Sequence, residues 1–346
     1  MVFYLTLFTA VSISSFFYSR SRDIYLAQFS KLFAFLLMFI PAALRYRVGT
    51  DYFSYVLNYS LISRGFPARF EPGFVALNQL SDYLNLGAQG VFAITAFLTL
   101  FFLFLAVPRK SFYIIVPVYF CMFYAFSFNA IRNALAIAIA YYAYQVFCKK
   151  KILLSFALIG IGSLFHISVL LFYPMFITML VLKINKTQTI IFFILSLTIY
   201  FFGSVIIDWI LEVIVSRTSF AYYLDTKFIE RSRTSLLFVF VQLFVVSIVL
   251  FFMPNDKNTI ISNIFIFLLV ANFAYMLGSI LDIFNRLYRV FSIVWLPVIQ
   301  YLNNYKSKLK KIFLLLFIFF WAFGSFIIAV GFMGSADMIP YRTIFS

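Results

Sequence analysis

From residue 2 onward the chain passes through one long apolar run after another, separated by short polar or basic clusters. A helix that crosses the hydrocarbon core of a bilayer needs about 20 predominantly apolar residues. About twelve such spans fit the chain and leave only short connections, which excludes a sizeable soluble domain. Composition agrees: 64% of residues are hydrophobic and 11% charged, against about 25% charged in ordinary soluble domains. The sequence therefore predicts an all-α, polytopic membrane helix bundle, with residues 1–346 forming a single integral membrane domain. No G-x-x-x-x-G-K-[ST] run occurs, so a bound nucleotide-hydrolysing engine is excluded.

The net charge of +16 reads as the positive-inside bias of membrane loops, not as a nucleic-acid surface. Basic clusters lie at Arg20/Arg22, Arg109/Lys110, Lys149 to Lys151, Lys183/Lys186, Lys257 and Lys306 to Lys311. Placing all of them in the cytoplasm predicts spans near 2–18, 24–44, 89–107, 112–128, 130–148, 152–164, 167–182, 187–206, 235–253, 259–279, 287–302 and 312–333, with both ends outside. The pair 152–164 and 167–182 is short enough to form one bent or re-entrant element. The first run has Arg20 and Arg22 after it, not before it, which predicts a retained span and not a cleaved signal peptide. Cys121 and Cys148 fall at different depths and give neither a disulfide framework nor a metal spacing.

On this topology the inner basic residues are mostly lysine. The outer ones are all arginine except Lys227, and they share that side with most of the carboxylates. Lysine serves topology and solvation. Arginine offers a planar fork that matches phosphate and carboxylate. The outer face thus reads as a surface that handles an anion, the alternative being ion pairing among its own carboxylates. Two outer loops, 45–88 and 207–234, are long enough to build a site, and their mixed apolar and charged character suits helices lying in the interface.

Five clusters stand out. Arg45-Tyr46-Arg47-Val48-Gly49-Thr50-Asp51 follows the second span; Gly49 permits a helix-ending turn, and Asp51 is placed to cap a helix carrying Tyr52, Tyr55 and Tyr59 on one face. Arginines beside tyrosines at a membrane surface suit a phosphate with a sugar attached, or an aromatic belt with snorkelling arginines. In Arg69-Phe70-Glu71-Pro72, Pro72 suits a first helical turn and Glu71 its positive end; a functional Glu71 is a base or a partner that orients an arginine. Asn129 is a natural cap for the next helix, where Arg132 places a cation against the dipole and calls for an anion. His166, the chain's one histidine, sits at an outer turn, as a general base or as a hydrogen-bonding residue. Asp282, Arg286 and Arg289 open the 287–302 span, again with cations at a helix start.

Together these motifs resemble the EpsG family of polysaccharide-polymerising membrane proteins, related to Wzy-type O-antigen and capsule polymerases. The resemblance rests on R-x-R-V-G-T-D-Y-x-x-Y at 45–55, E-P-G-F at 71–74, I-R-N-A-L-A at 131–136, F-H-I-S at 165–168 and the arginine segment at 285–291, in the family's order. It implies a fold like that of the metal-independent C-type glycosyltransferases. It also implies an enzyme at the outer face of a bacterial cytoplasmic (inner) membrane, which joins oligosaccharide units carried on undecaprenyl pyrophosphate. No cofactor, metal or nucleic-acid partner is implied; membrane lipid is, and a chain-length regulator protein is a possible partner.

The residues suit that chemistry. A departing pyrophosphate is an anion, which Arg45, Arg47, Arg132, Arg286 and Arg289 would stabilise as one site. Tyr52 and Tyr55 would hold sugar faces. His166, then Asp51, then Glu71 are the candidate bases for the acceptor hydroxyl. A lipid-linked oligosaccharide flippase handles the same substrate but would carry charge inside the bundle, where Lys31 alone is clearly mid-span. An O-antigen ligase shares the chemistry and differs in its acceptor. A sugar O-acyltransferase would need an acyl donor reached from the lysine-rich inner side.

Overall fold

The computed structural model describes residues 1–67, 70–213, 236–254 and 258–345. Among them the secondary structure is helical, apart from an isolated antiparallel bridge between Arg45 and Thr343. The chain forms two compact units, one of residues 1–172 with 299–346 and one of residues 173–298.

The first unit is built around α8 (Ile131–Cys148). Its residues alternate alanine with leucine or isoleucine from Ala134 to Ala140, and all of these are buried. A helix that is apolar on every side belongs inside a bundle, and small residues let its neighbours approach closely. Those neighbours are α5 (Gly87–Ala106) and α9 (Ile152–Ser163). Beyond α5 lies α2 (Ile24–Leu44), then α1 (Val2–Arg20), which also packs on α6 (Phe112–Tyr119). Asp23 caps α2 by accepting the Tyr25 and Leu26 amides, which fixes the hairpin between the first two helices. From α6 the chain runs through a π-helical turn, Phe120–Tyr124, into α7 (Ala125–Asn129). The short helices α3 (Tyr52–Ser63) and α4 (Pro72–Tyr83) pack on each other and on α5. Much later, α16 (Lys308–Phe326) returns to α6, and the segment after it closes over the end of the bundle that holds residues 45–49.

The second unit holds most of α10 (Phe172–Val181), then α11 (Lys186–Val213), α12 (Leu236–Phe252), α13 (Thr259–Gly278), α14 (Asp282–Phe291) and the start of α15 (Trp295–Asn303). α13 packs on α11 and α14, and Asn272 on it donates to Ser196 Oγ of α11 at 2.6 Å. A buried hydrogen bond between helices is favoured where no water competes for either partner.

Among the described residues six helices are long and apolar enough to cross a membrane: Val2–Arg20, Ile24–Leu44, Gly87–Ala106, Arg109–Asn129, Thr259–Gly278 and Lys308–Phe332. Further apolar helical stretches run over Ile152–Ser163, Ile167–Val181, Lys186–Thr198, which is the first part of the 28-residue α11, and Leu237–Phe252. The chain is thus a multi-pass helical membrane protein; among the described residues six of the expected spans are full-length apolar helices and others are not. The reasons are local. The run at 130–148 is α8, whose Arg132, Asn133 and Gln145 dilute its apolar character and whose neighbours are other helices. The run at 287–302 is divided among α14, a 3₁₀ turn at Ser292–Val294 and α15. The 152–182 region is two elements that meet at the His166 turn.

Candidate functional site

The sequence cluster at 45–51 forms a tight loop after α2. Arg45, its first residue, is 2% exposed. Its Nη1 donates to the Phe128 carbonyl, and its guanidinium lies 4.6 Å from the Phe92 ring centre and 4.8 Å from that of Phe128. Burial pushes its pKa down to about 10, so it remains a cation at neutral pH. Among the described residues no carboxylate pairs with it. The negative ends of α2 and α7 compensate it instead. It borders a cavity of about 20 Å³ with Thr95, Thr99, Tyr124 and Ser127. That is room for about one water and not for a pyrophosphate. In this arrangement Arg45 is a clamp between helix ends.

Arg47 behaves differently. It is exposed, its backbone is left-handed (φ 53), and its guanidinium lies 5.1 Å from the Tyr46 ring and 5.8 Å from Phe53. Gly49 makes the turn possible. Its φ is +104°, and an added Cβ would come within 2.8 Å of both Asn129 Oδ1 and the Phe128 carbonyl. Asn129 is the last residue of α7, and α8 begins after Ala130. Asn129 does not cap α8, as its sequence position suggests; its Oδ1 accepts the Thr50 amide at 2.8 Å. Asp51 occupies the cap position of α3, but its side chain makes no capping bond and is exposed.

Tyr52 and Tyr55 share a face of α3, as their spacing predicts, and that face is buried. Tyr52 stacks on Phe92 at 4.9 Å, and Tyr55 lies edge-on to Phe74 at 5.8 Å. Their rings are committed to packing α3 on α5 and α4. Tyr59, a turn further, is partly exposed and donates to Asp82 Oδ1 at 2.8 Å.

The strongest convergence joins α3, α4, α8 and the His166 turn. Pro72 starts α4 with Glu71 as its cap residue. Gly73 donates to the Leu164 carbonyl at 2.8 Å, and a Cβ there would meet that oxygen at 2.7 Å, so only glycine brings α4 this close to the turn. Glu71 then reaches two partners: Oε2 pairs with Arg132 Nη1, and Oε1 accepts the Ile167 amide at 3.3 Å. Arg132 lies near the start of α8, where the dipole opposes a cation, and Glu71 supplies the compensating charge. The guanidinium sits 4.2 Å from the Phe70 ring centre. Burial raises the pKa of nearby Tyr55, and the Arg132 charge pulls it back. The pair remains within reach of solvent, with side-chain exposures of 20% for Arg132 and 19% for Glu71, while Arg132 Nε is buried without a partner.

His166 precedes a 3₁₀ turn, Ile167–Leu171, and caps it: the Ser168 amide donates to Nδ1 at 3.3 Å, and Ser168 Oγ lies 2.7 Å from the same nitrogen. With the Ser168 amide directed at it, Nδ1 is the acceptor, and the neutral ring carries its proton on Nε2. Ser168 Oγ also reaches Asn133 Oδ1, at 3.4 Å, beside Arg132. Among the described residues no three His, Cys, Asp or Glu side chains gather as a metal site would require.

Arg286 and Arg289 belong to the second unit, on α14, and both are exposed. α14 begins at Asp282, earlier than the 287–302 span expected from sequence, so Arg289 falls in its last turn, where a cation is favourable. The dipole argument that singled these residues out therefore does not apply to Arg289. The side chain of Asp282, Arg69 and most of the 207–234 loop lie outside the described residues.

Sequence reasoning passed over the segment after α16. Asp337 and Arg342 present their carbonyls to the Gly49 and Tyr46 amides, at 3.0 and 2.9 Å. No side-chain motif marks such backbone contacts.

Fold and site together define a multi-pass helical membrane protein whose first unit carries an arginine–glutamate pair beside a histidine-capped turn. Residues 28–343 match the family model described as the EpsG family, and the chain belongs to that family. Comparison with curated proteins and with solved structures returned no match.

Proposed function

We propose that the protein is a glycosyltransferase of the polymerase type. It joins undecaprenyl-pyrophosphate-linked oligosaccharide units into O-antigen, capsular or exopolysaccharide at the outer face of a bacterial cytoplasmic membrane. Family membership supports polysaccharide polymerisation in general. The observation that carries the finer reading is the Glu71–Arg132 pair, about one fifth exposed, beside the His166 turn. In this reading the acceptor hydroxyl oxygen forms a bond to the anomeric carbon of the donor. The bond from that carbon to the lipid pyrophosphate breaks, and the pyrophosphate leaves with the electron pair. Arg132 turns from Glu71 to the departing pyrophosphate, which carries more charge than one carboxylate. Glu71, so released, accepts the hydroxyl proton. His166 offers its Nε2–H as a further donor to the leaving group, and Arg47 adds a second exposed fork. The same family relation leads us to expect a C-type glycosyltransferase-like bundle and, in the cell, a chain-length regulator as partner.

Deletion of the gene, read by a surface-polysaccharide ladder, tests this. Loss of long chains with single capped units retained is the expected result. Loss of every surface unit would favour a flippase or a ligase.

A further inference from the structure

The segment that follows α16 is tied to the Arg45–Gly49 loop by backbone bonds along much of its length. Ile344 N donates to the Leu44 carbonyl at 3.0 Å, Tyr46 N to Arg342 at 2.9 Å and Gly49 N to Asp337 at 3.0 Å. Side chains secure it at the same end. Tyr4 Oη donates to the Met338 carbonyl at 3.1 Å, Tyr341 Oη donates to the Pro41 carbonyl at 3.0 Å, and the Tyr341 ring stacks on Phe3 at 4.1 Å. Both sides of this contact hold non-glycine residues in left-handed backbone: Arg47 (φ 53) opposite Ala336 (φ 73) and Asp337 (φ 47). Such conformations cost free energy and persist where the surroundings over-determine them, which is characteristic of functional sites. A connection needed only to finish the bundle has no reason to be held this way.

We infer that residues 334–345 are a positioning strap: they fix the backbone of residues 44–50 so that Arg47 and Asp51 are presented to substrate. The inference rests on the polymerase reading for what the loop acts on, and on the geometry alone for what holds it. Asn129 grips the loop from α7 through the Thr50 amide, and the strap grips it from the opposite end of the sequence. The turn carrying Arg47 is therefore rigid without belonging to any helix. An arginine held this way keeps its fork aimed and loses little freedom when it meets an anion.

The test uses the full-length protein in lipid nanodiscs. Ile344→Pro removes the donor to Leu44, and Tyr341→Ala removes the stack and the bond to Pro41. Amide hydrogen exchange over residues 44–50 should quicken by about 100-fold in the double variant as the strap opens locally, with exchange over α8 unchanged. Extension of a purified lipid-linked oligosaccharide should slow, with KM rising as well as kcat falling. Tyr341→Phe, which keeps the stack, should recover most of both. Should the double variant unfold, the single Ile344→Pro variant, which loses one donor, is read in its place. Unchanged exchange at 44–50 overturns the inference, and so does a released loop with unchanged extension kinetics. A wild-type protein that extends no lipid-linked unit would instead sink the polymerase reading, and the exchange comparison would still decide whether the strap holds the loop.

Discussion

Gly49→Ala is the sharpest single test of the loop that carries Arg47. Two costs add at this position. The backbone sits at φ +104°, and left-handed backbone costs a residue with a Cβ about 1–2 kcal/mol. The Cβ itself would fall 2.8 Å from Asn129 Oδ1 and 2.8 Å from the Phe128 carbonyl, both closer than van der Waals contact allows. Relief requires the loop to leave Asn129, which gives up the Thr50–Asn129 hydrogen bond, worth about 1 kcal/mol. Alanine restricts the unfolded chain and returns about 0.4–1 kcal/mol. The net cost is about 2 kcal/mol, which raises the equilibrium for local opening about 30-fold. Gly65 is the control: its φ is +79°, and nothing lies within 4 Å of a Cβ built there. Gly65→Ala carries the strain without the collision and should cost less than about 1 kcal/mol. Hydrogen exchange over residues 44–50 in the two variants measures the difference. If Gly49→Ala opens the loop no more than Gly65→Ala opens its own turn, close packing against α7 is not what shapes this loop.

Further outcomes follow from the same geometry. Glu71→Gln leaves the Arg132 cation half-buried at a helix start and should destabilise the protein by about 1–3 kcal/mol in detergent unfolding; adding Arg132→Met should recover much of that stability and none of the activity. Arg132→Lys keeps the charge and loses the fork, so extension should fall about tenfold or more with normal protein level. Asn129→Ala removes the acceptor for the Thr50 amide and should cost about 1 kcal/mol, seen as faster exchange at 49–51. His166→Ala should lower the rate per mole of folded protein, and the wild-type pH profile assigns the role. A donor keeps working on acidification, whereas a base fails as the imidazole takes up a proton.

Helical class and membrane setting were legible because both rest on composition and run length, which need no knowledge of neighbours. Pro72 at the start of α4 and the uncompensated cation at Arg132 were legible for a similar reason: each is a statement about one helix end. What sequence could not supply was the partner. Nothing local says that Glu71 meets Arg132 across a separation of 61 residues, or that Asn129 serves the Gly49 loop and not its own helix. Tyr52 and Tyr55 show the limit from another side. Periodicity put them on one face, and only the packing of α3 against α5 reveals that this face points inward. The strap was invisible because its contacts are backbone to backbone, and any sequence that allows its turns can make them.

A cation placed against a helix dipole can be answered in two ways, by a fixed carboxylate or by a ligand, and the mechanism proposed above would use them in turn. Were the pair sealed, Glu71 would satisfy Arg132 permanently, and separating them would strand a charge in a medium that cannot solvate it. Were it fully exposed, water would screen both groups, and an arriving anion would gain little from either. At about one fifth exposure on each side, the two charges are desolvated enough to attract strongly and open enough to exchange partners. The Arg132 guanidinium lies over the Phe70 ring and near that of Phe74, so its fork would stay aimed if the carboxylate were displaced. Displacing Glu71 also frees the oxygen that a hydroxyl proton would need. Exchange of one anion for another at a single arginine would thus couple arrival of the pyrophosphate to the appearance of a base, a coupling that neither group provides by itself.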